Sequence, residues 1–285
     1  VYKRQLIDNP KTLLRQPEKV MEPMNLGAVR MTRFSFSRSM IRRAFLNSWD
    51  IKRLIVDFDE SGSGQIVYRI LAEGKIFHFV AFTSRLDETL HTDRVVADAW
   101  DVTAALVEGE LEEDLMQLLK SEVPKQESSR LDSRVLVLTR GNRSVRFYDY
   151  LVECLAEGNQ PKSKKLGDAG YIMRSTAFYA NGKFGMKSFL GIGENHPLSA
   201  PYRAQFLAAW LFREVGYESV EHCAKARNPN AASFNSDWNR FLGLGNATGL
   251  GLVPWAMKHP DKLNCLLYTS PSQRDLSTSR MPSSA

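Results

Sequence analysis

Cysteine is scarce in this sequence, with three in 285 residues and no CxxC spacing. That argues against a disulfide scaffold and a thiolate zinc site, and it fits a reducing, cytoplasmic setting. Long apolar runs are missing too. None approaches the roughly 20 residues of a membrane-spanning helix, so no membrane span is expected. No internal repeat or low-complexity tract is found between Leu6 and Asn264, which removes repeat arrays and linkers from consideration. Charge of one sign is also modest, and the formal +6 shrinks once the chain ends are read.

Val1-Tyr2-Lys3-Arg4-Gln5 back-translates to GTG TAT AAG AGA CAG, which resembles the end of a transposon used to make sequencing libraries. Cys265-Leu266-Leu267-Tyr268-Thr269-Ser270 back-translates to the reverse complement of that element. Pro271 to Asp275 then follows adapter DNA with Gln273 as one mismatch, and Ser279 to Ala285 fits the adapter beyond its index. Two matches in opposite senses leave little room for chance, and such scars are kept out of fold reasoning. The natural sequence is expected to run at most from Leu6 to Asn264, with both true termini absent. Without Lys3, Arg4, Arg274, Asp275 and Arg280 the +6 falls by three to +3, too little to argue for nucleic acid. Cys265 goes with the tail, leaving Cys154 and Cys223.

What is present is a switch of periodicity. Pro10, Pro17 and Pro23 break the first stretch, and Ser37 to Trp49 reads as a basic amphipathic helix. Alternation follows. Leu54, Val56 and Phe58 mark one strand, the turn Asp59 to Gly64 follows, Ile66 to Leu71 is a second strand and Lys75 to Thr83 a third. The third is apolar on both faces, so cover on both sides is expected. Beyond it the reading turns helical: a helix from Thr92 or Asp93 to about Val107, and one over Leu111 to Lys120. Gln126 to Thr139 stays open between strand and buried helix. Asn142 is expected to cap a helix to about Ala156, with Phe147, Leu151, Cys154 and Leu155 inward. Tyr171 to Phe189 holds strand-like pieces around Asn181-Gly182, and Pro201 to Val215, Ser219 to Lys225 and Phe234 to Leu242 are expected as helices. The expected class is α+β: an antiparallel meander of three strands or more, then a predominantly helical body. One domain is expected over 6–264, with the sheet in 6–91 and the helices in 92–264.

Three stretches could carry chemistry. The first is Leu242 to Leu252, a glycine-rich loop leading to an expected helix at Val253. Its GxGxxxGxG pattern meets neither the dinucleotide nor the phosphate-loop motif. It could cradle an anion through Asn246, Thr248 and Gly249, or it could simply let two elements pack closely. The second is Arg140-Gly141-Asn142-Arg143-Ser144-Val145-Arg146. Three arginines around a helix start oppose the macrodipole, so a negative partner is expected: a carboxylate from Glu108 to Asp114, or a ligand phosphate or carboxylate. The third is Gly170 to Gly185, where Arg174, Ser175, Thr176, Tyr179 and Lys183 sit among aromatics. It reads as a pocket wall or as a hairpin with a basic tip.

Acid–base candidates are weaker. Asp98 and Asp101 share a face of the expected helix, where Arg94 offers Asp98 an ion pair instead. His222 and Cys223 point about 100° apart on a helix and cannot act as a catalytic couple. His78 reads as a core histidine, and His91 and His259 lie near expected helix ends. No metal set and no cofactor motif is identified.

Arg140–Phe147, Gly170–Gly185 and Leu242–Pro260 together resemble an uncharacterised family of conserved bacterial proteins with no assigned activity. The resemblance implies no reaction, cofactor or catalytic residue. The residues suggest a protein that binds a small anionic metabolite, phosphorylated or carboxylated, with enzymatic activity left open. Arg140, Arg143 and Arg174 would clamp the anion, with Asn142, Arg146 and Lys183 as further ligand-binding candidates. A regulatory or nucleic-acid-binding module on the same basic surface is the alternative. The arginine and glycine stretches are expected to meet in one cavity, with Arg143 and Asn246 both lining it.

Overall fold

The computed structural model describes residues 49–87, 89–90, 99–126, 130–131, 133–145, 147–162, 171–180, 195–199, 203–235 and 243–245. Three strands follow one another through tight turns: β1 (Asp50–Phe58), β2 (Gly64–Ala72) and β3 (Lys75–Thr83). They form the antiparallel meander that alternation foretold. Three further strands extend it, β4 (Val102–Glu108), β5 (Val135–Arg143) and β6 (Tyr171–Ala180), all antiparallel to their neighbours. A short β7 (Gly243–Gly245) pairs parallel with β6. The seven strands therefore lie in one sheet in sequence order. The helices among the described residues are α1 (Glu113–Glu122), α2 (Tyr148–Ala156) and α3 (Arg203–Arg227), consistent with the α+β class.

Period-2 alternation gives the sheet two apolar faces. Ile66, Tyr68 and Ile70 of β2, Phe77 and Phe79 of β3, and Val102, Ala104 and Leu106 of β4 face α2 and α3 in the larger core. The intervening Val67, Val80, Ala105 and Val107 face α1, whose Leu115, Met116 and Leu119 recur at helical spacing. Acidic Glu113 and Asp114 in its first turn and Lys120 in its last complement the dipole of α1. Each fully buried Leu, Phe or Val contributes about 1.5–3 kcal/mol. Covering both faces of the sheet is thus the main source of stability.

Several expectations are corrected. Residues 102–108 are strand β4 rather than the end of a helix, because their apolar residues run on both faces and both faces are covered. The open segment near Val135 is β5, where Leu136 forms a bulge between the pairs Leu106–Val137 and Val107–Val135. Asn142 is not a helix cap. It lies within β5, its Oδ1 accepts the Asp101 peptide N–H at 2.9 Å, and α2 starts only at Tyr148. Arg143 is likewise a strand residue. The two helices expected over 201–225 are one continuous helix running through Gly216. A Cβ there would lie 2.9 Å from Met173 Sδ, so the glycine lets α3 approach β6 closely. Phe234 and Asn235 are outside any helix. Trp49 is buried and precedes β1; the rest of the Ser37–Trp49 helix, the Asn181-Gly182 turn, the Val253 helix and the tail from Cys265 lie outside the described residues. Among the described residues, no helix is long and apolar enough to cross a membrane.

Candidate functional site

The arginine stretch ends in a buried polar cluster. Asp59 organises the β1–β2 turn through Oδ1, which accepts from the Ser61 peptide N–H at 2.8 Å, the Ser61 hydroxyl at 2.6 Å and the Ser63 peptide N–H at 2.9 Å. The Ser61 hydroxyl and these N–H groups hold its carboxyl below the usual range, against a smaller opposing effect of burial. The turn is thereby shaped to present carbonyls inward. Arg143, 4% exposed, donates from Nη2 to Gly62 O at 3.0 Å and from Nη1 to Ser61 O at 3.3 Å. Thr83 Oγ1 donates to the same Gly62 carbonyl at 2.7 Å. The guanidinium carbon lies 4.9 Å from the centre of the Tyr148 ring. Burial pushes the Tyr148 phenol up, against the pull of Arg143, so it stays a neutral hydroxyl and shares a 2.5 Å hydrogen bond with Ser219 Oγ. Cys223 Sγ stands 3.7 Å from the same hydroxyl. Gly62 has φ +76°, and a Cβ on it would meet Cys223 Sγ at 2.7 Å.

The expected negative partner of Arg143 is therefore replaced by carbonyl dipoles and an aromatic face. Among the described residues no carboxylate pairs with its guanidinium. The acidic stretch serves other cations instead: Glu108 takes Lys75, Glu110 takes Arg69 and Glu112 takes Arg134. Asp101 accepts the Arg143 peptide N–H at 2.8 Å and is buried, so it braces β5 rather than presenting a carboxylate on a helix face. Arg140 stacks on the Trp100 ring at 3.9 Å. The two arginines are held in different surroundings and form no joint clamp. Arg143 Nε and Ser144 Oγ are buried with no hydrogen-bond partner among the described residues.

At the backbone level the three stretches do come together. Asn142 pairs with Arg174 across β5–β6, and Arg174 pairs with Gly245 across β6–β7. One row at the end of the sheet thus joins residues widely separated in sequence. Only the backbone of Arg174 is described, and Arg94, Asp98, Arg146, Lys183, Asn246, Thr248, Gly249, His91 and His259 lie outside the described residues. The side chain of Asn142 is occupied by Asp101 N and Ala99 O. His222 Nε2 donates to Asp59 O at 2.8 Å, apart from the buried Cys223 thiol.

Sequence reasoning did not find two other constellations. His196 donates from Nε2 toward Glu108 at 3.3 Å and accepts the Leu198 N–H on Nδ1 at 3.0 Å. Burial pushes its imidazole down despite Glu108. On the α1 side, a cleft of about 370 Å³ opens between β1–β3 and α1. His78, rightly read as buried, donates from Nδ1 to Gly109 O at 2.8 Å and forms part of the cleft wall beside Arg69 and Glu110. The signal was there: the short Glu73-Gly74 turn fixes the hairpin register that sets Arg69 opposite His78.

No protein-family model matches the chain, and neither the curated proteins nor the solved structures include a significant match. The resemblance in the three stretches draws nothing from these comparisons.

Proposed function

We propose that the chain binds a small phosphorylated or carboxylated metabolite at the corner formed by the ends of β5, β6 and β7. The observation that carries this reading is the row Asn142–Arg174–Gly245, which gathers the arginine and glycine stretches at one end of the sheet. Arg174 supplies the charge, and a guanidinium holds carboxylate or phosphate bidentately. Asn246, Thr248 and Gly249, next in the sequence, are the donors expected of the glycine stretch. The buried Ser144 Oγ, which has no hydrogen-bond partner among the described residues, lends the corner further capacity. Arg143 itself acts through the β1–β2 turn, so its role here is to position β5.

A thermal-shift titration with inorganic phosphate and with citrate tests the reading. Ligand at about 100 times its Kd adds about 2.7 kcal/mol to the stability of the bound fold. Wild-type protein is expected to gain several degrees in Tm, and Arg174→Gln to need about tenfold more ligand for the same gain. A single-stranded oligonucleotide at equal phosphate concentration is expected to add nothing further. Equal responses of wild type and Arg174→Gln, or no response to either anion, would overturn the reading.

A further inference from the structure

The cleft on the α1 face lies at the opposite edge of the sheet from the β5–β7 corner, and three features shape it as a binding site. Leu54 is a bulge in β1, unpaired between Arg53–Tyr68 and Ile55–Val67. The bulge lets both Leu54 and Ile55 line the cleft, where strict alternation would send one of them to the other face. Val67, Leu111 and Met116 complete an apolar wall. Across it runs one polar row, in which Arg69 and His78 are direct partners on β2 and β3. Cross-strand partners on one face stand about 5 Å apart at Cβ, so the two side chains meet.

Their chemistry is complementary. Because Nδ1 of His78 gives its proton to the Gly109 carbonyl, Nε2 carries the lone pair, and among the described residues it has no partner. Arg69 is 30% exposed and its only ion pair among the described residues, with the exposed Glu110, is loose at 3.8 Å. Such a surface pair is worth about 0–1 kcal/mol, so a second carboxylate can displace Glu110 at little cost. The cleft therefore offers a cationic fork beside a hydrogen-bond acceptor, at one side of an apolar hollow. Its volume of about 370 Å³ sits at the small end of ligand pockets.

We propose that this cleft binds a small, mainly apolar carboxylate that bears a hydroxyl or N–H donor, the acid on Arg69 and the donor on His78 Nε2. A plain apolar acid would bury Nε2 without a donor, which is unfavourable. A neutral alcohol would forgo the guanidinium. The site asks for both groups on one apolar body.

Isothermal titration calorimetry with 3-hydroxybenzoate, benzoate and 3-hydroxybenzyl alcohol tests this on the full chain. Wild type is expected to bind 3-hydroxybenzoate with a Kd below about 1 mM, and each of the other two about tenfold more weakly, equivalent to ~1.4 kcal/mol. Arg69→Gln should lose about tenfold for the two acids and nothing for the alcohol. His78→Asn keeps an N–H for Gly109 and leaves no acceptor at the position of Nε2, so it should abolish the preference for 3-hydroxybenzoate over benzoate. Arg69→Gln should leave the thermal-shift response to inorganic phosphate unchanged, which separates this site from the sheet corner. A wild-type Kd above about 1 mM for 3-hydroxybenzoate overturns the proposal, as does equal binding of the three ligands. If a variant fails to fold, the wild-type imidazole nitrogen resonances decide. 3-Hydroxybenzoate must shift Nε2 of His78 more than benzoate does, and equal shifts overturn the proposal.

Discussion

Arg143 is a buried cation surrounded by dipoles, and its value to the fold lies in the two carbonyls it gathers. Hydrogen bonds to a charged group contribute about 1.5–3 kcal/mol. Arg143→Ala also frees the β1–β2 turn from β5, so a loss of about 2–4 kcal/mol is expected in urea unfolding. Arg143→Lys should recover only part, since an ammonium lacks the fork that reaches Ser61 and Gly62 together. A variant as stable as wild type would show that the turn holds itself. A second prediction concerns acid. Burial depresses the imidazoles of His78 and His196 below their ordinary 6.5, against the Gly109 carbonyl and then Glu110 at His78 and against Glu108 at His196. The folded state then binds fewer protons than the unfolded one. Stability from these groups is complete above pH 6.5 and falls as the pH drops below it toward their folded values. Tm should decline between neutral pH and about pH 5.5, and the double variant His78→Asn/His196→Asn should flatten that decline. An unchanged slope would place the titration elsewhere. Some of this was legible, since His78 sits within an apolar strand and reads as core. The role of Arg143 was not, because its partners lie 81 and 82 residues away and no local spacing encodes them.

Among the elements, the hairpins were legible and the later strands were not. β1 and β2 alternate, β3 is a short apolar run, and turns containing Asp, Ser, Glu and Gly punctuate them, so local chemistry and final structure agree. β4 is Val-Thr-Ala-Ala-Leu-Val-Glu, apolar on both faces and alanine-rich, a pattern that a buried helix shares. Its strand state comes from pairing with β3 and β5. Asn142 imitated a cap, and the real start of α2 at Phe147–Tyr148 has no side-chain cap at all. Gly216 falls in the gap between the two helices expected, yet α3 runs through it, and its missing Cβ lets Met173 of β6 approach closely. The site was legible only as charge: the arginine and glycine stretches stood out, but the row joining them needed the sheet. Gly62 offers the sharpest test at this scale. Its positive φ costs a β-carbon residue about 1–3 kcal/mol, and contact with Cys223 adds overpacking of similar size. Gly62→Ala should therefore destabilise by roughly 2–4 kcal/mol. Adding Cys223→Ala removes the clash and leaves the backbone strain. A double-mutant cycle should show a favourable coupling of at least about 0.5 kcal/mol. Strict additivity would mean that the turn moves away from α3 instead.

For the molecule as a whole, one sheet serves two cores, so protection should follow depth in the sheet. Amide exchange followed by mass spectrometry should be slowest in β2 to β5 and faster in β1, an outer strand with only partly buried residues along most of its length. Uniform exchange across β1 to β5 would argue against the edge opening first. The order of the strands has a further consequence, which concerns synthesis. Each strand from β2 to β6 pairs with the one made just before it, so the meander can grow as the chain leaves the ribosome. Its larger apolar face, carrying Tyr68, Phe77 and Phe79, is covered by α3, which is complete only at Arg227. At about 5–20 residues per second, that face waits on the order of ten seconds after β3 has emerged. During this interval the nascent chain presents an aromatic surface that a ribosome-associated chaperone can hold. A transcript cut before residue 203 would deliver the sheet without its cover, and its product should be found in the insoluble fraction, while one that extends through Phe234 should remain in the supernatant.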